Sequence, residues 1–319
     1  GIVGSYFKKK GYTVIANDIQ YYSFVLNKQY IENHEHLEFQ KLTKILPKLK
    51  NIEIGERKNF VCDYLSNIKG IKGFIFKNYC LGGTQNQEFQ RQYFSDENGK
   101  RCDAIRMEIE KWKKEKLITD NEYYFLLATL IETIDKRANT ASVYGAFLKQ
   151  LKKTAQTPFV LKPAELIIND QKHQVFNEDI NELASKVEGD ILYLDPPYNH
   201  RQYATNYHLL ETVAKYDNPK IHGKTGLREY ENQKSLYCSR TKAKKAFEDL
   251  ILSARTKYIF LSYNNEGLMT LNDIKEVMSL RGKYGYFTKE YNRFKADRDE
   301  NRDYKADKTV EYLHYVVCS

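Results

Sequence analysis

Apolar positions along the chain change their period several times, and the changes mark its elements. The opening GIVGSYFKKKG carries apolar residues at helical spacing and ends in glycine, which predicts a helix closed by Gly11. Residues 12–17, YTVIAN, read as a strand that ends in Asp18, and residues 20–48 return to a helical pattern. A buried strand normally precedes such a glycine turn, so a first strand upstream of Gly1 is expected. Residues 66–160 differ in texture. GIKGFIFKNYCLGGTQNQ leads into RQYFSDENGKR, which reads as a hairpin or exposed loop. Helices are predicted near 102–116, 120–134 and 141–153, with Thr119-Asp120 starting the second. No strand alternates with these helices, so the block reads as an inserted, mainly helical subdomain.

Alternation returns afterwards. KHQVFN, residues 172–177, is a short strand, and DILYL, residues 190–194, is apolar enough to be buried on both faces. A helix is expected at 205–216 and another at 242–254. KYIFLSY, residues 257–263, is a second buried strand, LNDIKEVMSL is helical, and GYFTKEY and VEYLHYVV form a terminal strand pair. The pattern predicts an open α/β sheet with helices on both faces. There is no internal repeat. The charged run KADRDENRDYKADK, residues 295–308, is expected to be mobile or to touch phosphates.

Composition narrows the class. The 319 residues suit one large domain or a domain with a sizeable insertion. No apolar run is long enough to span a membrane, and no signal peptide is visible. Five scattered cysteines without a CxxC or Cys/His cluster argue against a zinc site or disulfide framework and fit a reduced cytosol. His34-x-His36 reads as a solvated helix end rather than a metal clip, and no metal is expected. Net charge is +9, which suits a polyanionic partner or simply a lysine-rich surface. The 26 tyrosines, mixed with Lys and Arg, suit base stacking beside phosphates, or else reflect AT-rich codons.

The most specific stretch is ILYLDPPY, which holds two of the chain's six prolines. Ligands of open α/β sheets bind beyond the carboxyl ends of the strands, and Asp195 sits at such an end. Two prolines make a stiff extended segment whose carbonyls serve no local ladder. Asp195 and the Pro196 carbonyl together offer a fixed pair of acceptors. That pair suits a planar exocyclic amine such as adenine N6 or cytosine N4, with Tyr198 as a stacking face. The alternative is a plain strand-ending turn. At average residue usage such a quartet occurs roughly once in a hundred chains of this length.

ILYLDPPY resembles motif IV of S-adenosylmethionine-dependent amino methyltransferases, [D/N/S]PP[Y/F/W]. The aspartate form is typical of enzymes of DNA adenine N6. GIVG at residues 1–4 resembles the end of that family's cofactor glycine motif, VIAND its motif II and VFNED its motif III. The order of cofactor motifs, helical insertion and DPPY is similar to the Dam-like, D12 alpha class. NHRQYATNYHLLE and YFSDENGKRCDAIRMEIEKW look like its restriction-modification branch. The upstream part of the glycine motif has no counterpart in this sequence.

The resemblance implies a Rossmann-like methyltransferase sheet of about seven strands, the last antiparallel. Residues 1–65 and 161–319 would form the catalytic domain, with 66–160 as an inserted target-recognition subdomain. Asp195, Pro196 and Tyr198 would be catalytic. Gly1, Gly4, Asp18, Asp179, Ile180 and Asp195 would bind S-adenosylmethionine. Asp18 would hold the ribose hydroxyls; read alone, Asp18 and Asp179 are also helix caps, Gly4 a packing glycine and Ile180 core. Pro197, Asn199, Arg201, Gln202 and Tyr203 would fill the gap left by a flipped base or meet flanking phosphates. Arg91, Tyr93, Arg101 and Arg106 would touch DNA. The implied partners are double-stranded DNA and, in a restriction-modification system, a cognate restriction endonuclease. The implied place is the bacterial cytosol, in association with the nucleoid. A monomer is the default, because each adenine can be treated separately. Cytosine-N4, RNA or protein-glutamine methylation, or an inactive DNA-binding scaffold, are the competing readings.

Overall fold

In the computed structural model, residues 1–292 and 308–319 are described. All but the last residue of the charged run 295–308 lies outside them. Among the described residues there are eight strands: β1 (Ile15–Asn17), β2 (Gln174–Phe176), β3 (Glu188–Leu194), β4 (Ile221–His222), β5 (Leu227–Arg228), β6 (Arg255–Asn264), β7 (Gly282–Asn292) and β8 (Lys308–Cys318). The chain packs as two compact units, one of residues 1–177 with 207–229, the other of 178–206 with 230–319. No helix among the described residues is long and apolar enough to cross a membrane.

The first unit is mostly helical. β1 and β2 pair in parallel, with Ala16 opposite Val175. The helix Ile2–Lys9 is followed by Gly11 at φ 84°, a conformation open to glycine at no steric cost. One core joins Val25, Leu42 and Val61 to Trp112, Phe125 and Leu209, so residues 66–160 share it with the chain before and after them. The expected long helix over 20–48 breaks up. It runs over Tyr21–Asn27, widens into a π turn at Lys28–Glu32, and gives way to two 3₁₀ segments, Gln40–Lys44 and Pro47–Asn51. Phe39 adopts a left-handed φ of 47°, its N–H held by the buried Glu122 carboxylate, and Pro47 has no amide to continue a helix. The helix Ile54–Asn67 was not expected.

The stretch read as an exposed loop at 91–101 instead starts the helix Asp96–Lys114, capped by Ser95. Two poor helix formers there serve tertiary packing. A Cβ on Gly99 would collide with Cys80 Sγ, and Asn98 binds the carbonyls of Ala155 and Thr157 and the amide of Phe159. The helix Asp120–Arg137 begins as expected, on a capping box of Thr119 and Glu122. The helix expected at 141–153 is a loop clipped together by Asn139, whose side chain bonds Gln92, Leu148 and Lys152.

The second unit is a four-stranded mixed sheet in the order β3-β6-β8-β7. β3 runs parallel to β6, and β8 is antiparallel to both β6 and β7. The α/β expectation is therefore met by a mixed sheet. Helices Ala243–Ser253 and Leu271–Ser279 cover one face, where Leu194, Phe247, Ile259, Leu261 and Val316 form the core. β3 is not buried on both faces. It pairs on one side only among the described residues, and Ile191 on its other face is 52% exposed.

Three buried histidines are held neutral. His173 Nδ1 accepts from the Val14 amide, His208 Nε2 lies 3.0 Å from the Tyr144 carbonyl, and His314 Nδ1 lies 2.8 Å from the Tyr284 hydroxyl. Burial lowers each pKa from 6.5 to about 4. The unfolded chain therefore binds protons between those values that the folded chain refuses. The stability these groups contribute is present above about pH 6.5 and is lost as pH falls toward 4. Urea midpoints compared at about pH 7.5 and about pH 5.5 should show this loss, and equal midpoints would exclude it.

Candidate active site

In the second unit, Leu194 anchors β3 in the core and Asp195 follows at the strand's carboxyl end. Parallel pairing sets Leu194 beside Leu261, and Tyr193, one residue earlier on the opposite face, lies against Ser262. Among the described residues, no donor bonds the Asp195 carboxylate or the Pro196 carbonyl. The side chain of Asp195 opens to solvent, yet the protein packed around it raises its carboxyl pKa above the ordinary value by desolvation. Glu311 of β8, opposite Asn264 of β6, is raised for the same first reason, with the Asp195 charge adding to it. A strand end carrying two poorly hydrated carboxyls favours a partner that brings donors or positive charge.

The loop after Asp195 is pinned at three places. The Tyr198 carbonyl accepts from the Leu268 amide at 2.9 Å. Gln202 exchanges two hydrogen bonds with the backbone of Ser235, at 2.8 and 3.2 Å. The Arg201 carbonyl accepts from Cys238 Sγ at 3.4 Å. Asn199 folds back on the Arg201 amide. The side chains of Tyr198 and Tyr203 remain more than a third exposed. Asp179 caps the short helix Ile180–Leu183 through the Asn181 amide, and Ile180 packs against the unit's core. The helix-cap reading of Asp179 thus holds, and a cap uses only part of a carboxylate's acceptor capacity.

In the first unit, Gly1 and Gly4 lie where a helix meets its neighbours. A Cβ on Gly1 would meet Asn27 Oδ1 at 2.5 Å, and one on Gly4 would meet Ile31 Cδ1 at 2.9 Å. Both are close-packing glycines. Asp18 follows β1, and its two oxygens accept from the Gln20 amide at 2.8 Å and the Ser23 hydroxyl at 2.6 Å. Gln20, not Asp18, is the N-cap of the helix Tyr21–Asn27. Burial raises the Asp18 pKa against the lowering effect of these two bonds. Each oxygen keeps a further lone pair, so the side chain fits a vicinal diol.

The four insertion residues separate. Arg91, Tyr93 and Arg106 are buried. Arg91 binds the carbonyls of Gly223 and Lys224, the Tyr93 hydroxyl binds that of Tyr144, and Arg106 binds those of Val213 and Ala214 together with Glu110. These three side chains spend their donors on interior acceptors rather than presenting them to a DNA backbone. Arg101 is partly exposed and bonds the Ser66 carbonyl. The sequence reading did not single out Ser262, Asn264 or Glu311. The signal was the SYNNEG stretch, which ends an apolar strand in amides as ILYL ends in an acid.

An acceptor pair beyond a parallel strand, a partly exposed tyrosine after it and a mixed sheet are compatible with an amino methyltransferase, and comparison with known proteins gives the class. The chain belongs to the D12 class of N6 adenine-specific DNA methyltransferases, whose sequence model matches residues 1–277. It is 50% identical to the type II methyltransferase M.NlaIII of Neisseria lactamica over 316 residues, which are 99% of this chain and 87% of that protein. It is 39% identical to the type II methyltransferase M.FokI of Planomicrobium okeanokoites over 99% of this chain and 47% of that protein. With the modification methylase StsI of Streptococcus sanguinis it shares 38% identity over 87% of this chain and 40% of that protein. The chain thus spans most of the first relative and less than half of the other two. No solved structure matches it significantly.

Proposed function

We propose that the chain methylates adenine N6 in duplex DNA on a base flipped out of the helix, with S-adenosylmethionine as donor, as the modification enzyme of a type II restriction-modification system. The observation that carries this is the undonated acceptor pair of Asp195 and the Pro196 carbonyl. Adenine N6 is a poor nucleophile because its lone pair is delocalised into the ring. Two N–H bonds accepted by Asp195 and Pro196 favour a pyramidal nitrogen with its lone pair out of the ring plane. S-adenosylmethionine, when bound, supplies an electrophilic methyl group. The Asp195 carboxylate also stabilises the positive charge that develops on nitrogen, so orientation and electrostatics do most of the work. Tyr198 stacks on the extruded base, and Pro197, Asn199, Arg201, Gln202 and Tyr203 lie along the path of the flanking strand. Asp18 suits the ribose hydroxyls, Asp179 and Ile180 the adenine of the cofactor, and Gly1 and Gly4 the close approach of a helix to it.

The order β3-β6-β8-β7, with an antiparallel strand lodged between β6 and β7, supports a Rossmann-like methyltransferase sheet. The block 66–160 is proposed to carry target recognition, with Arg101 its remaining candidate for contact. A cognate endonuclease, a monomeric state and residence at the bacterial nucleoid complete the proposal. The adenine-specific family leaves no observation in favour of cytosine, RNA or glutamine as substrate.

The test is to incubate the protein with unmodified genomic DNA and methyl-labelled S-adenosylmethionine, then digest to nucleosides. Label in N6-methyladenosine is expected as the deoxynucleoside. Label in N4-methylcytosine, or in RNA or protein alone, would overturn the assignment.

A further inference from the structure

A short hairpin that no sequence pattern announced stands in the first unit. β4 and β5 pair through Ile221–Arg228 and His222–Leu227, joined by the turn Gly223-Lys224-Thr225-Gly226. Both glycines have positive φ, 64° and 69°, and the Gly226 amide bonds the Gly223 carbonyl across the turn. The turn is fixed from beneath. The buried Arg91 guanidinium donates to the Gly223 carbonyl at 2.8 Å and the Lys224 carbonyl at 3.2 Å, and the buried Tyr79 hydroxyl donates to the Gly226 carbonyl at 2.7 Å. Arg228 clamps the base of the hairpin to Asp217 through two bonds of 2.7 and 3.0 Å. Gly226 packs so closely that a Cβ would lie 2.8 Å from the Tyr79 ring, whereas a Cβ on Gly223 would meet nothing within 4 Å.

The consequence is a sorted polarity. Three of the turn's carbonyls point inward and are satisfied. The polar groups of the turn left without a partner among the described residues are the exposed Lys224 ammonium, the Thr225 hydroxyl and carbonyl, and the adjacent amides of Lys224 and Thr225. Lys224, Gly223 and His222 are exposed. Beneath them the Arg91 charge is met only by carbonyls and the Gln87 amide oxygen, with no carboxylate in contact among the described residues. Of the nearby acids, Glu88 acts on Arg91 through its charge without a direct bond, Asp217 is taken by Arg228, and Glu229 sits 3.9 Å from His222. Adjacent free amides with a cation above and a buried cation below form an anion receptor. The brace means that little ordering is needed when the anion arrives.

We propose that the Gly223–Gly226 turn binds a backbone phosphate of the duplex DNA substrate, with Lys224, Thr225 and their two amides as ligands and Arg91 as the positioning residue that holds the turn. This rests on the proposed function and adds a site to it. Contact with phosphate carries no sequence information, so the hairpin sets register on the duplex rather than choosing the target.

The test measures affinity for a short duplex carrying the mapped target site over a range of salt. Lys224→Ala should weaken binding about fivefold at about 0.15 M salt and reduce the slope of log K against log salt by about 0.9, the counterion release of one phosphate. Lys224→Arg should restore both. In steady-state turnover the Lys224→Ala loss should fall on KM for DNA, since Lys224 meets phosphate and not the reacting atoms. An unchanged slope in Lys224→Ala would overturn the proposal. So would a loss confined to inorganic phosphate, or to RNA, with DNA binding intact. A wild-type protein that methylates no DNA at all would instead overturn the function, and the hairpin assignment with it.

Discussion

An Asp195→Ala protein is expected to transfer methyl groups about a thousandfold more slowly than wild type while binding duplex DNA within about twofold. The carboxylate does two things that alanine cannot. In the proposed reaction it accepts a hydrogen bond from one N6–H and so turns the lone pair, and it faces the charge that develops on nitrogen as the methyl arrives. Both effects grow toward the transition state, so the loss falls on kcat rather than on KM for DNA. Asp195→Asn should be nearly as slow, because an amide oxygen accepts but carries no charge. The same carboxylate shapes the pH profile. Its pKa is raised by desolvation and only the ionised form is active, so turnover should decline as pH falls through a value above the ordinary aspartate range. Single-turnover rates with DNA saturating are the measurement. Normal methylation by either variant would remove Asp195 from the reaction.

Arg106→Met should cost about 3–5 kcal/mol of stability, a loss typical of breaking a buried charged network. The guanidinium is 2% exposed and makes four hydrogen bonds at once. Its Nε and Nη2 cap the carbonyls of Val213 and Ala214 at the C-terminal end of the helix His208–Lys215, Nη1 pairs with Glu110 at 2.9 Å, and Nη2 meets the Tyr123 hydroxyl. A cation there also offsets the negative end of the helix dipole. Methionine fills the volume but leaves two buried carbonyls, a tyrosine hydroxyl and a carboxylate without their donor. Chemical unfolding reads the effect. A variant of native stability that had lost only DNA affinity would show instead that Arg106 reaches the substrate.

Arg106 also marks where the sequence stops being informative. An arginine in a polar-looking stretch of a basic chain reads as a DNA contact, because nothing local distinguishes one that spends its donors inward. That depends on the carbonyls of residues 213 and 214, more than a hundred positions away. Tertiary packing also hid the first turns of the helix Asp96–Lys114, expected only from about residue 102, whose Asn98 and Gly99 pack on the segment 155–159 and on Cys80. It also hid the loop around Asn139 and the break after Asn27. What was legible was local. The capping box at Thr119, the glycine stop at Gly11, the apolar strands β3 and β6 and the terminal strand pair are each encoded within a few residues. The ILYLDPPY stretch belongs to this group, since strand, acid and prolines follow one another directly. The Gln202–Ser235 and Tyr198–Leu268 bonds that hold the loop in place do not, and they appear only once the second unit has folded.

The order β3-β6-β8-β7 has a temporal side. Ribosomes add about 5–20 residues each second, and β8, an inner strand of this sheet, is the last of its four to be made. β6 and β7 therefore leave the ribosome with nothing between them, each presenting an open ladder edge until β8 arrives. An unpaired edge recruits whatever strand is nearest, including one on a neighbouring nascent chain. A transcript broken before residue 308, or a chain clipped there by a protease, leaves that gap permanently. Such chains should be found in the insoluble fraction and carry no residual activity, so the methylation state of the DNA reports only on chains finished through β8.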